Sequence, residues 1–295
     1  MQSSSESPAL ENSEGTDEKR AIMQARVEFL AHLPPDTPEY KYGGISSLRE
    51  ATSKEYHRFL LDENSSPYVI FTDISPKDVT DNDENFPGRV DYSPPLQILI
   101  LTIPSLPHEE AARLFDQIIG QKAVEMKVRR LLSFRGATDS ETRNRKKEAD
   151  TSYAPRELPP GRTAKWPTVA VEVGFSETSE KLKSDAAFWL NGSSGDVLTA
   201  ITIDIKRSGN IYIIRWKRPA VMANPKPEPE AVQDIKICRG KGGQEAANLM
   251  GEELRIPFQH MMLRDPGPGE GDFVITRDEL LHDLADAIWY GMDHK

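Results

Sequence analysis

The chain has 295 residues, 37% of them hydrophobic, and carries 37 Lys and Arg against 47 Asp and Glu, a formal net charge of −10. Its single cysteine, Cys238, excludes an intramolecular disulfide and a cysteine-based zinc cluster, which suits a reducing intracellular setting, cytoplasmic or nuclear. No apolar run approaches membrane-span length, and the Ser- and Glu-rich start lacks the apolar core of a secretory leader, so the expectation is neither a membrane nor a secreted protein.

Residues 1–20 read as a disordered tail, rich in Ser and Glu. A helical and loop extension follows over 21–95. Within it, Ala21 to Leu33 is a short helix stopped by Pro34-Pro35, Leu48 to Leu61 a second helix, Tyr68 to Phe71 a strand, and Asp78 to Pro95 an acidic loop. The core is expected over 96–218. Gln97 to Ile103 is a strand ended by Pro104. Ser105 offers an N-cap with Pro107 in the first turn and Glu109 and Glu110 where the helix dipole favours negative charge, and the helix runs to about Met126. Arg130 to Phe134 and Asp150 to Tyr153 are short extended segments flanking a basic turn, Arg143 to Lys147.

Val169 to Phe175 reads as a buried strand and Thr178 to Asn191 as a helix with Leu182, Ala186 and Trp189 on one face. Val197 to Ile205 and Asn210 to Trp216 form a hairpin around Ser208-Gly209. A Pro/Gly-rich linker spans 219–243. The C-terminal extension, 244–295, is expected to be helical at Gln244 to Leu254 and at Arg277 to Met292.

The chemistry centres on Glu172, a lone carboxylate inside Val169-Ala170-Val171-Glu172-Val173-Gly174-Phe175. A buried carboxylate must be neutralised, hydrogen-bonded or bound to a cation. Asp150 lies 22 positions upstream in another extended segment. Adjacent strands that bring two carboxylates together, beside helix-borne lysines, supply the minimal kit of a divalent-metal phosphodiesterase. Strand alternation puts Ala170, Glu172 and Gly174 on one face and Val169, Val171 and Val173 on the other, which predicts inward-packed valines and clearance beside Glu172. The plain alternative is that Glu172 pairs with a lysine or arginine or caps a neighbouring loop. Charge distribution bears on the partner: His108 to Arg218 holds 20 Lys and Arg against 15 Asp and Glu, a balance of +5, and the remainder carries −15. That segment permits phosphate contacts without demanding them.

The element order, with Lys147-Glu148-Ala149-Asp150, Trp166-Pro167-Thr168-Val169-Ala170-Val171-Glu172-Val173-Gly174 and Pro107-His108-Glu109-Glu110, resembles the PD-(D/E)XK nuclease superfamily, in particular the restriction endonuclease-like domain of uncharacterised fungal proteins. The resemblance covers roughly Leu96 to Trp216, with a weaker likeness from Ile256 to Trp289. It implies an α/β fold with a restriction-endonuclease-like αβββαβ core, a mixed central sheet flanked by helices. It also implies Mg (or Mn) bound by Asp150, Glu172 and the Val173 carbonyl, and nucleic acid as substrate. No small-molecule cofactor is implied. Gly174 stands where the family has its lysine; Lys181 and Lys183 on the following helix are the candidate replacements, and Glu109 a candidate assistant from the first helix, with His108 a weaker one. Two other readings follow from the same residues: a degenerate nuclease kept as a protein- or nucleic-acid-binding module, and a metal-free hydrolase using Asp150 and Glu172 as an acid/base pair.

Overall fold

A computed structural model describes residues 9–62, 65–136, 139–176, 178–219, 227–240 and 247–294. The chain opens with α1 (Ala9–Leu30), which begins well before the Ala21 expected from apolar spacing; residues 1–8 of the expected tail lie outside the described residues. Next come β1 (Glu39–Lys41), α2 (Ile45–Leu61), β2 (Tyr68–Thr72) and α3 (Pro76–Asp81), where Ser75 accepts the Asp78 amide as an N-cap. The expected acidic loop holds α3 and also a strand, β3 (Arg89–Ser93), before β4 (Ile98–Thr102).

The core then follows in order: α4 (Leu106–Glu125), β5 (Leu132–Phe134), β6 (Asp139–Glu141), β7 (Lys146–Glu148), β8 (Thr151–Pro155), β9 (Val169–Phe175), α5 (Ser179–Gly192), β10 (Thr199–Ile205) and β11 (Ile211–Lys217). β12 (Glu230–Cys238), β13 (Asn248–Met250), β14 (Leu254–Ile256), α6 (Phe258–Met262), β15 (Phe273–Ile275) and a π-helical run, Glu279–Ala285, leading into α7 (Asp286–Asp293), complete the chain.

Two departures from expectation lie side by side. The stretch read as linker contains β12, with residues 220–226 and 241–246 outside the described ones, and the described part of the expected helix Gln244 to Leu254 forms β13 and the start of β14 instead. Gly251 shows why a helix fails there. Its φ is +104, and a Cβ at this position would lie 2.7 Å from the Asp234 carbonyl oxygen, so only glycine lets the chain turn this close to β12.

Among the described residues the strands form a six-stranded sheet, β1-β2-β4-β3-β7-β6, a seven-stranded sheet, β13-β12-β11-β10-β9-β8-β5, and the pair β14-β15. The larger sheet is mixed: β10 runs parallel to β9, while β5 with β8, β8 with β9, and β10 with β11 are antiparallel. Taken along α4, β5, β8, β9, α5 and β10, this is the αβββαβ order expected from the sequence.

Alternation along β9 divides the molecule's interior. Val169, Val171 and Val173 join the main apolar core with α4 residues Ala111, Phe115 and Ile119 and with the C-terminal Leu254, Phe258, Leu280 and Trp289. Ala170 faces the other way, into a smaller cluster with Trp166, Ala186, Trp189 and Trp216. The sheet is thus covered by α4 and the C-terminal elements on one face and by α5 on the other.

Candidate functional site

Every residue of β9 is buried, Glu172 included, at 4% exposure. Glu172 lies on the α5 side, where one turn of sequence logic decides its partner: Trp189 is on the buried stripe of α5 with Leu182, Asp185 and Ala186. The Trp189 indole Nε1–H donates to Glu172 Oε1 at 2.5 Å, and the Lys147 Nζ stands 3.2 Å from Oε2. The clearance expected beside Ala170 and Gly174 is therefore filled by an indole and an ammonium. Burial pushes the Glu172 carboxyl up to about 8; Lys147 and the Trp189 hydrogen bond oppose the rise, while the charges of Asp185 and Asp150 add to it.

Asp150 is reached differently. Extending the β8–β9 register one step past Thr151↔Val171 sets it opposite Glu172, at the bend where β8 begins. Its Oδ2 accepts the Val173 amide at 2.7 Å, so Val173 meets Asp150 through its N–H. Its Oδ1 lies 3.0 Å from His108 Nε2 and 3.6 Å from Arg89 Nε, contacts that are close but off the line of a good hydrogen bond. Burial raises the Asp150 carboxyl, but His108, the Val173 amide and Arg89 outweigh it and hold it at about 2. The His108 imidazole is driven the other way: burial disfavours its charge, and Asp150 with Glu109 overcomes this and lifts it to about 10. Glu109 sits half-exposed at the rim, 3.2 Å from His108 Nδ1 and 3.7 Å from Arg89 Nη2.

The two candidate lysines part company. Lys181 is buried on the first turns of α5, its Nζ 2.8 and 2.6 Å from the two Asp185 oxygens and 3.3 Å from Asp91. Lys183 points outward and pairs with Glu228 at 2.6 Å, away from both acids.

Sequence reasoning expects Asp185, one turn after Lys181, as its local ion partner, and the structure shows that pair; it does not single out Asp91, nor Arg145 and Lys147 as its buried partners. Arg145 grips Asp91 with Nε and Nη2 at 2.7 and 2.6 Å and reaches Asp185 with Nη2 at 2.7 Å. Lys147 bridges Glu172 and Asp185, 3.2 Å from each. Asp91, on β3, belongs to the smaller sheet, as does Lys147 on β7. Three acids, Glu172, Asp185 and Asp91, thus meet three cations, Lys147, Lys181 and Arg145. Surrounding acids raise the Lys147 and Arg145 basicity against the pull of burial, and the cations lower the Asp91 and Asp185 carboxyls against it. One sequence signal pointed this way: Arg145 and Lys147 alternate along an extended segment that reads, by composition alone, as a basic turn.

These donors do not fit a hard cation. Asp150 and Glu172 share no hydrogen-bond or ion-pair partner, and each of their four oxygens already faces an N–H or a cation of the protein. Among the described residues no three His, Cys, Asp or Glu side chains converge as they would around a metal ion.

Fold and site together define a mixed α/β protein with an αβββαβ core whose two candidate acids are held in buried internal ion pairs. No family model matches the chain, and no curated protein matches it. Among solved structures it is similar to one from Anabaena variabilis described as "a putative nuclease belonging to DUF820", with 13% identity and a TM-score of 0.32 over 47% of this chain and 81% of that one. None of the described helices is long and apolar enough to cross a membrane.

Proposed function

We propose that this chain is a degenerate nuclease: a restriction-endonuclease-like scaffold whose acid positions have become structural and which binds a partner without cleaving it. The observation that carries this reading is the capping of Glu172 by Trp189 and Lys147, one donor to each oxygen. A metal entering here would have to displace a buried ammonium and break a hydrogen bond inside the tryptophan cluster.

A second reading keeps the activity. Lys147 stands beside Glu172, where the missing lysine of Gly174 leaves a gap in the family pattern, and its ammonium is the kind of group that stabilises developing negative charge. On this reading Asp150, Glu172 and Val173 would hold Mg or Mn, with Lys147 or Lys181 as the lysine and Glu109 assisting, and the protein would hydrolyse phosphodiester bonds in DNA or RNA.

One experiment separates them. Single- and double-stranded DNA and RNA are incubated with the protein at millimolar Mg²⁺ or Mn²⁺, with Glu172→Gln as control and calorimetric titration of Mn²⁺ alongside. The degenerate reading expects no saturable Mn²⁺ uptake and no cleavage above the control. Metal-dependent cleavage by the wild type that Glu172→Gln abolishes establishes the second reading instead.

A further inference from the structure

The acidic chain concentrates its positive charge in one place. From Lys127 to Lys165 it carries 11 Lys and Arg against 5 Asp and Glu, a balance of +6, so everything else carries −16. Only part of that segment lies at β5, since β6 and β7 belong to the six-stranded sheet and Arg145 and Lys147 to the ion cluster; among the described strands β5 pairs on one side only, with β8, and forms an edge of the seven-stranded sheet. Lys127, Arg129 and Arg130 lead into the strand and are exposed. Arg156 joins them from the end of β8: its amide donates to the Leu131 carbonyl at 2.8 Å, its Nε lies 3.5 Å from the Leu132 carbonyl oxygen, and the residue is exposed. None of these four cations forms an ion pair with any described acid, in a protein where most buried cations are matched. At the far end of β5, Arg135 donates to the Ala164 carbonyl at 2.9 Å, next to the exposed Lys165.

Two local features mark the four-cation end as arranged. The Arg129 guanidinium lies over the Phe134 ring, 4.1 Å from its centroid, a cation–π contact that anchors the exposed side chain beside β5. Lys127 has φ +62, the left-handed position just past the C-terminus of α4 where glycine is favoured, yet the chain places a lysine there. We infer that the β5 edge, with Lys127, Arg129, Arg130 and Arg156, is a docking surface for the phosphate backbone of a nucleic acid, lying on an edge strand and apart from the acid pair. Exposed guanidinium groups suit phosphate oxygens, to which they can donate two parallel hydrogen bonds. The inference does not depend on whether the acid pair hydrolyses anything.

The test is fluorescence anisotropy with labelled 20-nucleotide single-stranded and duplex DNA in EDTA, so that no cleavage intervenes. The Arg129→Ala/Arg130→Ala/Arg156→Ala variant is compared with Lys19→Ala/Arg20→Ala/Lys77→Ala, which removes equal charge elsewhere. The β5 variant is expected to bind at least about tenfold more weakly, with the slope of log affinity against log salt shallower by about 2 to 3, and the control to bind as wild type. Lys127→Gly gives the sharper readout: its melting temperature rises as strain is relieved while its affinity falls. Absence of wild-type binding, equal loss in the control, or equally tight binding of poly-glutamate overturns the inference. So does a β5 variant that binds normally but aggregates, since the charges would then serve only to protect a bare strand edge.

Discussion

At Glu172 two donors compete with any outside cation, and Lys147 is the one whose removal is most informative. Above pH 8, where the Glu172 carboxyl is ionised, Lys147→Met leaves Glu172 and Asp185 each short of a buried positive charge, and breaking one side of such a pair costs about 3 to 5 kcal/mol. Urea unfolding is expected to show that loss, and Glu172→Gln in the same chain to recover part of it, because the neutral amide no longer needs the ammonium. A double variant no more stable than Lys147→Met alone contradicts the pairing.

The same groups set a pH dependence. The Glu172 carboxyl, near 8 in the fold against 4.5 unfolded, binds its proton more tightly when folded, so its contribution falls as pH rises from 4.5 to 8. His108, lifted to about 10 from 6.5, gives stability that is complete below 6.5 and lost as pH rises through 10. Asp150, held near 2 against 3.8, gives stability present above 3.8 and lost as pH falls through 2. Thermal melts are therefore expected to drop steadily between pH 7 and 10, and His108→Gln to flatten the alkaline limb; a flat wild-type profile over that range contradicts the His108–Asp150 account. Glu172 and Asp150 were legible in the sequence as charges out of place in extended segments. Asp91, Arg145 and Lys147 were not, because each sits in a short polar stretch whose burial is set by a partner strand distant in sequence.

Among the elements, β9, α4, α5 and the β10–β11 hairpin follow from apolar periodicity, since each is long enough for alternation or a 3.6-residue stripe to emerge. β3, β7, β12 and β13 escape it. They are short or polar, and their pairing, such as Asp91↔Lys147 and Lys236↔Met250, defines them more than their composition does. α5 carries the decisive element-scale contact. Trp189→Phe keeps most of the aromatic packing with Trp166 and Phe188 but removes the indole donor to Glu172. A loss of about 1 to 3 kcal/mol is expected for a hydrogen bond to a buried carboxylate, measured by denaturant unfolding at pH 8.5, and less at pH 5.5, where Glu172 is protonated. Gly251→Ala, forced to φ +104 and against the Asp234 carbonyl, is expected to destabilise the turn between β13 and β14 by more than about 1 kcal/mol.

For the whole molecule, the ion cluster joins the two large sheets. Asp91 and Lys147 come from one, Glu172 from the other, and Asp185 and Lys181 from α5 between them. The C-terminal segment is equally integral: Leu254, Phe258, Leu280, Leu284 and Trp289 lie in the same core as α4, and Lys122 on α4 pairs with Glu279 at 2.6 Å. Truncation before Leu254 is expected to expose the outer face of α4 and abolish cooperative unfolding, seen as a lost thermal transition by circular dichroism.

The account turns on whether protein cations or a metal neutralise Asp150 and Glu172. The direct measurement is an anomalous difference map from crystals soaked in Mn²⁺. The account predicts no peak beside the two carboxylates, with the Lys147 ammonium and Trp189 indole still seated on Glu172. A peak ligated by Asp150 and Glu172, with Lys147 swung away, contradicts it.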